Sequence, residues 1–147
     1  MRSRIHQVVH APFERVFALA ADVERWPKIL PHYRYVRRVP DPAERHFEMG
    51  ARRGPIPVRW RAVQRPLPDE RRIEFVHTGG VTKGMRVAWR FVDRDGALDV
   101  SIEHELELDW PLIGGFAADH VIGPQFVEAI AGRTLRRVKA LAEAEGR

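Results

Sequence analysis

Residues 82–109 read T-K-G-M-R-V-A-W-R-F-V-D-R-D-G-A-L-D-V-S-I-E-H-E-L-E-L-D. Met85, Val87, Trp89 and Phe91 occupy every second place in the first half, and Leu98, Val100, Ile102, His104, Leu106 and Leu108 do so in the second. An apolar period of two marks strands with one covered face. We therefore expect strands at Thr82–Asp93 and Ala97–Asp109, joined by a tight hairpin at Asp93-Arg94-Asp95-Gly96.

Working back toward the N-terminus, the same period continues. It predicts strands at Ser3–Val9, Tyr33–Val39, Arg45–Arg52, Ile56–Arg65 and Arg71–Thr78. Between them stand Pro40-Asp41-Pro42, Gly54-Pro55, Pro66-Leu67-Pro68-Asp69 and Gly79-Gly80, all turn formers. Short connections imply an antiparallel meander. Only Ala11 to Pro31 breaks the pattern. Pro12 suits a first helical turn, and Val16, Phe17, Leu19 and Ala20 form an apolar stripe. Asp22 can cap a second short helix, Val23 to Lys28, in which Pro27 sits awkwardly. Working forward, Gly115 to Glu143 carries helical spacing, with Gly123-Pro124 kinking or delaying its start. The order is one strand, two short helices, six strands and one long helix, an α+β pattern in a single domain. One helix cannot fill the concave side of a seven-stranded twisted sheet, so bulky side chains or a ligand must complete it.

Composition narrows the function classes. The chain has 147 residues, enough for a real core, and 44% are hydrophobic. It has no cysteine, which excludes disulfides, thiolate zinc sites and a cysteine nucleophile. No apolar run approaches a membrane span. Met1 to His10 alternates instead of forming a signal-peptide core, so a cytoplasmic location is expected. The net charge is +5, but the basic residues are scattered among acidic ones and never run to four in a row. No nucleic-acid partner is expected.

The phrase A-P-F-E-R-V-F-A-L-A-A-D-V-E-R-W-P-K-I-L-P (Ala11 to Pro31) resembles the START-related, birch-pollen-allergen-like superfamily with its helix-grip fold. Trp89-Arg90-Phe91 and Arg133-Thr134-Leu135-Arg136-Arg137 extend the resemblance over nearly the whole chain. Within that superfamily it looks most like the polyketide cyclase/dehydrase group, which includes the coenzyme Q-binding START proteins. The resemblance implies a deep pocket between sheet and C-terminal helix, holding a lipid, sterol, quinone or polyketide without metal or redox cofactor. In the group's aromatase/cyclases a pocket tyrosine follows the W-P motif, the place held by Tyr33 after Trp26-Pro27. A pocket arginine lies four residues beyond a tryptophan on the fourth strand. Counted from Trp60 that place holds Gln64, and Arg65 comes next, on the opposite face unless a bulge intervenes.

Taking period two with the resemblance, the expected ligand contacts are Tyr33, Tyr35, Phe47, Met49, Trp60, Gln64, Phe75, His77, Met85, Trp89 and His104, with Phe116 and Phe126 from the helix. The informative ones are polar residues on apolar faces: Tyr33, Tyr35, Gln64, His77 and His104. Each costs about 1–3 kcal/mol when buried without a partner. Core histidines usually find that partner within the protein; in a pocket it can be a ligand. His77 and His104 have neither H-x-H nor H-x-x-x-H spacing, so no metal is expected. Glu103, Glu105 and Glu107 read as a solvated outer row facing arginines such as Arg86 and Arg90. Three readings follow. The first is a carrier for a lipophilic molecule in a cavity of roughly 300–1,000 Å³, as a monomer or homodimer. The second is a cyclase using Tyr33, Arg65 and His77 or His104 as acid/base groups. The third is a quinone or lipid chaperone touching an anionic membrane surface.

Overall fold

The computed structural model describes residues 1–80, 82–106 and 124–144. Seven strands form one antiparallel sheet: β1 Arg2–Val9, β2 Tyr33–Val39, β3 Arg45–Arg53, β4 Ile56–Leu67, β5 Arg72–Gly80, β6 Arg86–Arg94 and β7 Ala97–Glu105. Their spatial order is β1-β7-β6-β5-β4-β3-β2. The six consecutive strands pair as a meander, and only β1 crosses to join β7. Two short helices, α1 Phe13–Ala21 and α2 Trp26–Ile29, follow β1, and α3 runs from Pro124 to Ala144.

Local sequence explains most boundaries. At the β6–β7 hairpin Asp95 and Gly96 both take positive φ, 51° and 80°, as a twist-matched two-residue turn requires. A short 3-10 turn, Val23–Arg25, leads into α2 and leaves Pro27 in the first turn of that helix, where its missing N–H costs nothing. The start expected for the long helix at Gly115 and the end of β7 at Asp109 lie outside the described residues; the described helix begins at Pro124.

Two register shifts were not expected. In β2 the pairs Tyr33–Ala51 and Tyr35–Gly50 leave Arg34 as an extra residue. Beyond this bulge Val36 packs on the core, and Tyr35 moves to the outer face. There its ring covers Gly50, where an added Cβ would sit 2.3 Å from the ring. The second bulge is at Thr78 in β5, since Arg61 pairs with Gly79 and Ala62 with His77. Gly79-Gly80 therefore extends the strand instead of turning it. Gly80 has φ +92°, and a Cβ there would lie 2.6 Å from the Arg59 carbonyl oxygen.

The concave face is covered by α3. Val127, Ala131, Leu135, Val138 and Ala142 recur at three- and four-residue spacing and are all buried. Each fully buried Val or Leu contributes about 1.5–3 kcal/mol. At the helix's flank Ser3 Oγ donates to Glu128 Oε1 at 2.8 Å, fastening α3 to the edge strand β1.

Candidate functional site

A cavity of about 80 Å³ lies between the concave sheet and α3. Its wall takes Tyr33 from β2, Met49 from β3, Val58 and Trp60 from β4, and Phe75 and His77 from β5. Thr82 and Met85 come from the β5–β6 turn, Val87 and Trp89 from β6, and Ile102 and His104 from β7. Trp26 of α2 joins them, and Val127, Ile130, Ala131 and Thr134 close it from α3. The space is smaller than the expected 300–1,000 Å³. The reason is aromatic volume. Tyr33 meets Trp26 edge-on at 5.0 Å and Trp60 at 5.9 Å, while Trp60 stacks on His77 at 5.8 Å and 7°. These rings occupy the interior that one helix leaves open.

The polar atoms in this apolar shell are few. His77 Nδ1 lies 2.7 Å from Thr82 Oγ1. His104 Nδ1 is buried and has no hydrogen-bond partner among the described residues. Burial depresses both imidazoles, His77 to about 3 with further depression from nearby His104, and His104 to about 4. Both are neutral at pH 7 and offer acceptors as well as donors. Burial pushes the Tyr33 hydroxyl well above its ordinary range, so it keeps its proton. Behind the wall, Thr134 Oγ1 donates to the Ile130 carbonyl at 2.9 Å and lies 2.8 Å from His32 Nε2. With its proton committed to Ile130, Thr134 accepts from His32 Nε2–H, and the buried His32 Nδ1 has no partner among the described residues. Burial first, and then the Arg133 charge, lower His32 to about 4.

Eight of the residues singled out from sequence line the cavity: Tyr33, Met49, Trp60, Phe75, His77, Met85, Trp89 and His104. Four do not. Tyr35 is carried outward by the β2 bulge, with Arg37 lying 4.4 Å over its ring. Phe47 is a fully buried core residue under Arg38 and Arg45. Gln64 is buried but anchors α1: its Nε2 donates to the Ala21 carbonyl at 2.9 Å, and Arg45 Nε donates to its Oε1 at 3.0 Å. Arg65 faces solvent, paired with Glu44 at 3.0 Å. No bulge interrupts β3–β4 pairing, so β4 keeps its alternation through Arg65. The bulge that would have turned Arg65 inward, next to the arginine place that Gln64 holds, is therefore missing, and Arg65 lies on the outer side of the sheet. Phe116 and the side chain of Phe126 lie outside the described residues.

Sequence reasoning missed Trp26, Thr82, Thr134 and His32. Thr134 could have been found, because it stands on the apolar stripe between Ala131 and Val138. Among the described residues no group of three His, Asp or Glu side chains could hold a metal ion. No described helix is long and apolar enough to cross a membrane.

A curved seven-stranded sheet gripping a C-terminal helix around an internal cavity defines the helix-grip class. A family model described as polyketide cyclase / dehydrase and lipid transport matches residues 9–121, and the chain belongs to that family. No curated protein sequence matches it. Among solved structures it is similar to a protein from Thermus thermophilus, with 23% identity over 97% of this chain and 99% of that one, TM-score 0.75. It is also similar to the Zhui aromatase/cyclase of a Streptomyces species, with 17% identity over 100% and 96% of the two chains, TM-score 0.74. A START superfamily protein from Mycobacterium smegmatis matches at 14% identity over 95% and 98%, TM-score 0.71. At these identities the likenesses establish the shared fold.

Proposed function

We propose that the protein binds a small lipophilic molecule between sheet and α3, as a carrier. The observation that carries this reading is the buried His104 Nδ1, without a hydrogen-bond partner among the described residues, on a residue in the wall of a mostly apolar cavity. A polar group leaves the protein with an unmet cost of about 1–3 kcal/mol there, which a ligand hydroxyl or carbonyl would offset. His77, Tyr33 and Thr134 supply further polar points, and the aromatic walls supply the apolar contact. Since the space is about 80 Å³, a ligand larger than a small ring must displace wall residues. Met49 and Met85, unbranched and flexible, are the side chains suited to yield. Titration with a ubiquinone analogue, a fatty acid and a hydroxynaphthalene, read through tryptophan fluorescence, tests the proposal. Saturable 1:1 quenching by one of them is expected, weakened by His104→Phe. Flat traces for all three would contradict it.

A cyclase reading is favoured by one observation: the Tyr33 hydroxyl-bearing ring and the imidazoles of His77 and His104 line the same cavity. With Arg65 outside, Tyr33 would act as acid and His104 or His77 as base. Turnover of a poly-β-ketone that Tyr33→Phe abolishes would establish it; equal rates in the two proteins would remove it.

A further inference from the structure

We infer that the β3–β4 hairpin docks on an anionic phospholipid surface and brings the cavity to it. The hairpin reads R-R-G-P-I-P-V-R, Arg52 to Arg59. All three residues of its tip, Pro55-Ile56-Pro57, are exposed, and Ile56 at 55% is the most exposed large hydrophobic side chain among the described residues. Pro55 and Pro57 have no N–H, and Arg53 pairs with Ile56 across the turn. The tip thus offers the headgroup region few unmet backbone donors. Arg52 and Arg59 flank it, exposed, and among the described residues no carboxylate lies within ion-pair distance of either. Exposed Lys83 adds charge from the β5–β6 turn, at the same end of the sheet.

An apolar tip flanked by Arg52, Arg59 and Lys83, cations with no ion-pair partner among the described residues, is the pattern of an interfacial anchor. On the opposite half of the sheet's outer face most arginines are paired, Arg86 being an exception among the described residues. There Arg2, Arg4, Arg72, Arg90 and Arg94 each pair with a carboxylate at 2.7–3.8 Å. The anchor is also continuous with the binding site, since Val58, two residues from Ile56, lines the cavity together with Thr82 and Met85. A single isoleucine and a few arginines give weak, salt-sensitive attachment, which suits a carrier that must leave the surface again.

The absence of cysteine makes the test clean. Ile56→Cys and Val92→Cys each receive a polarity-sensitive thiol fluorophore. Val92 is matched at 53% exposure, but lies near the β6–β7 hairpin at the other end of the sheet. The labelled full chains are mixed with vesicles of phosphatidylcholine alone or with 30 mol% phosphatidylserine. A blue shift is expected only at position 56, only on the anionic vesicles, and lost at 0.5 M salt. Arg52→Ala with Arg59→Ala should lower vesicle affinity roughly fivefold per arginine. No shift at position 56, equal shifts at both positions, or the same shift on neutral vesicles would overturn the proposal. The readout is independent of ligand binding, so a failed cavity titration beside a positive vesicle result would leave the docking site standing alone.

Discussion

Strand β4 shows two faces built by different rules. Inward, Val58, Trp60, Ala62 and Gln64 are buried; outward, Arg59, Arg61 and Arg65 are exposed. On the inner face a buried polar atom is costly without a partner, and Gln64 has two. On the outer face the ion pairs are solvated, with Arg61 3.8 Å from Glu48 and Arg65 3.0 Å from Glu44. Such pairs contribute little, because water and salt screen them. Stability therefore rests on the inner face, while the outer face meets solvent.

Acid breaks this comparison most strongly. His32, His77 and His104 are held at about 4, 3 and 4, against 6.5 in the unfolded chain. As pH falls below 6.5 the unfolded chain takes up protons that the native protein refuses. The stability that these neutral histidines provide is complete above pH 6.5 and is lost as pH falls toward 4. The slope reaches about 1.4 kcal/mol per pH unit for each histidine. Urea unfolding between pH 7.5 and 4.5 should show it, and His77→Gln with His104→Gln should flatten it. A profile level down to pH 5 would show that the imidazoles are hydrated.

Trp60→Ala comes next. It removes the ring between Tyr33 and His77 and should cost about 3–5 kcal/mol in urea unfolding. Gln64→Ala should cost about 1–3 kcal/mol, since it strands the Ala21 carbonyl that Gln64 Nε2 satisfies, without weakening ligand binding. Arg65→Ala should leave both the unfolding midpoint and ligand affinity unchanged, as a solvated partner of Glu44. A loss of ligand affinity in Arg65→Ala would mean that the two faces are coupled.

The order of elements was legible because period two and period 3.6 are set by burial on one side, and burial is strong throughout this chain. The bulges at Arg34 and Thr78 were not legible. An extra residue in a strand leaves no compositional mark, yet it flips every side chain beyond it, and so simple alternation places Tyr35 inside. Gly79-Gly80 reads as a turn by composition; the positive φ of Gly80 instead lets the strand continue past a bulge. Gln64 reads correctly as a buried polar residue needing a partner, but alternation cannot say whether that partner is a ligand or the end of α1. His77 and His104 were legible as cavity groups because two polar residues fell in apolar rows of the same sheet.

Native mass spectrometry of protein purified from its own host, comparing wild type with Ala131→Phe, tests the central claim most directly. Ala131 lines the cavity from α3, and the added ring fills it without touching the outer face. The account predicts a bound small molecule on the wild-type protein and none on Ala131→Phe, with circular dichroism confirming that both are folded. A small molecule retained in equal amount by folded Ala131→Phe would contradict it, as would a wild-type protein that carries nothing.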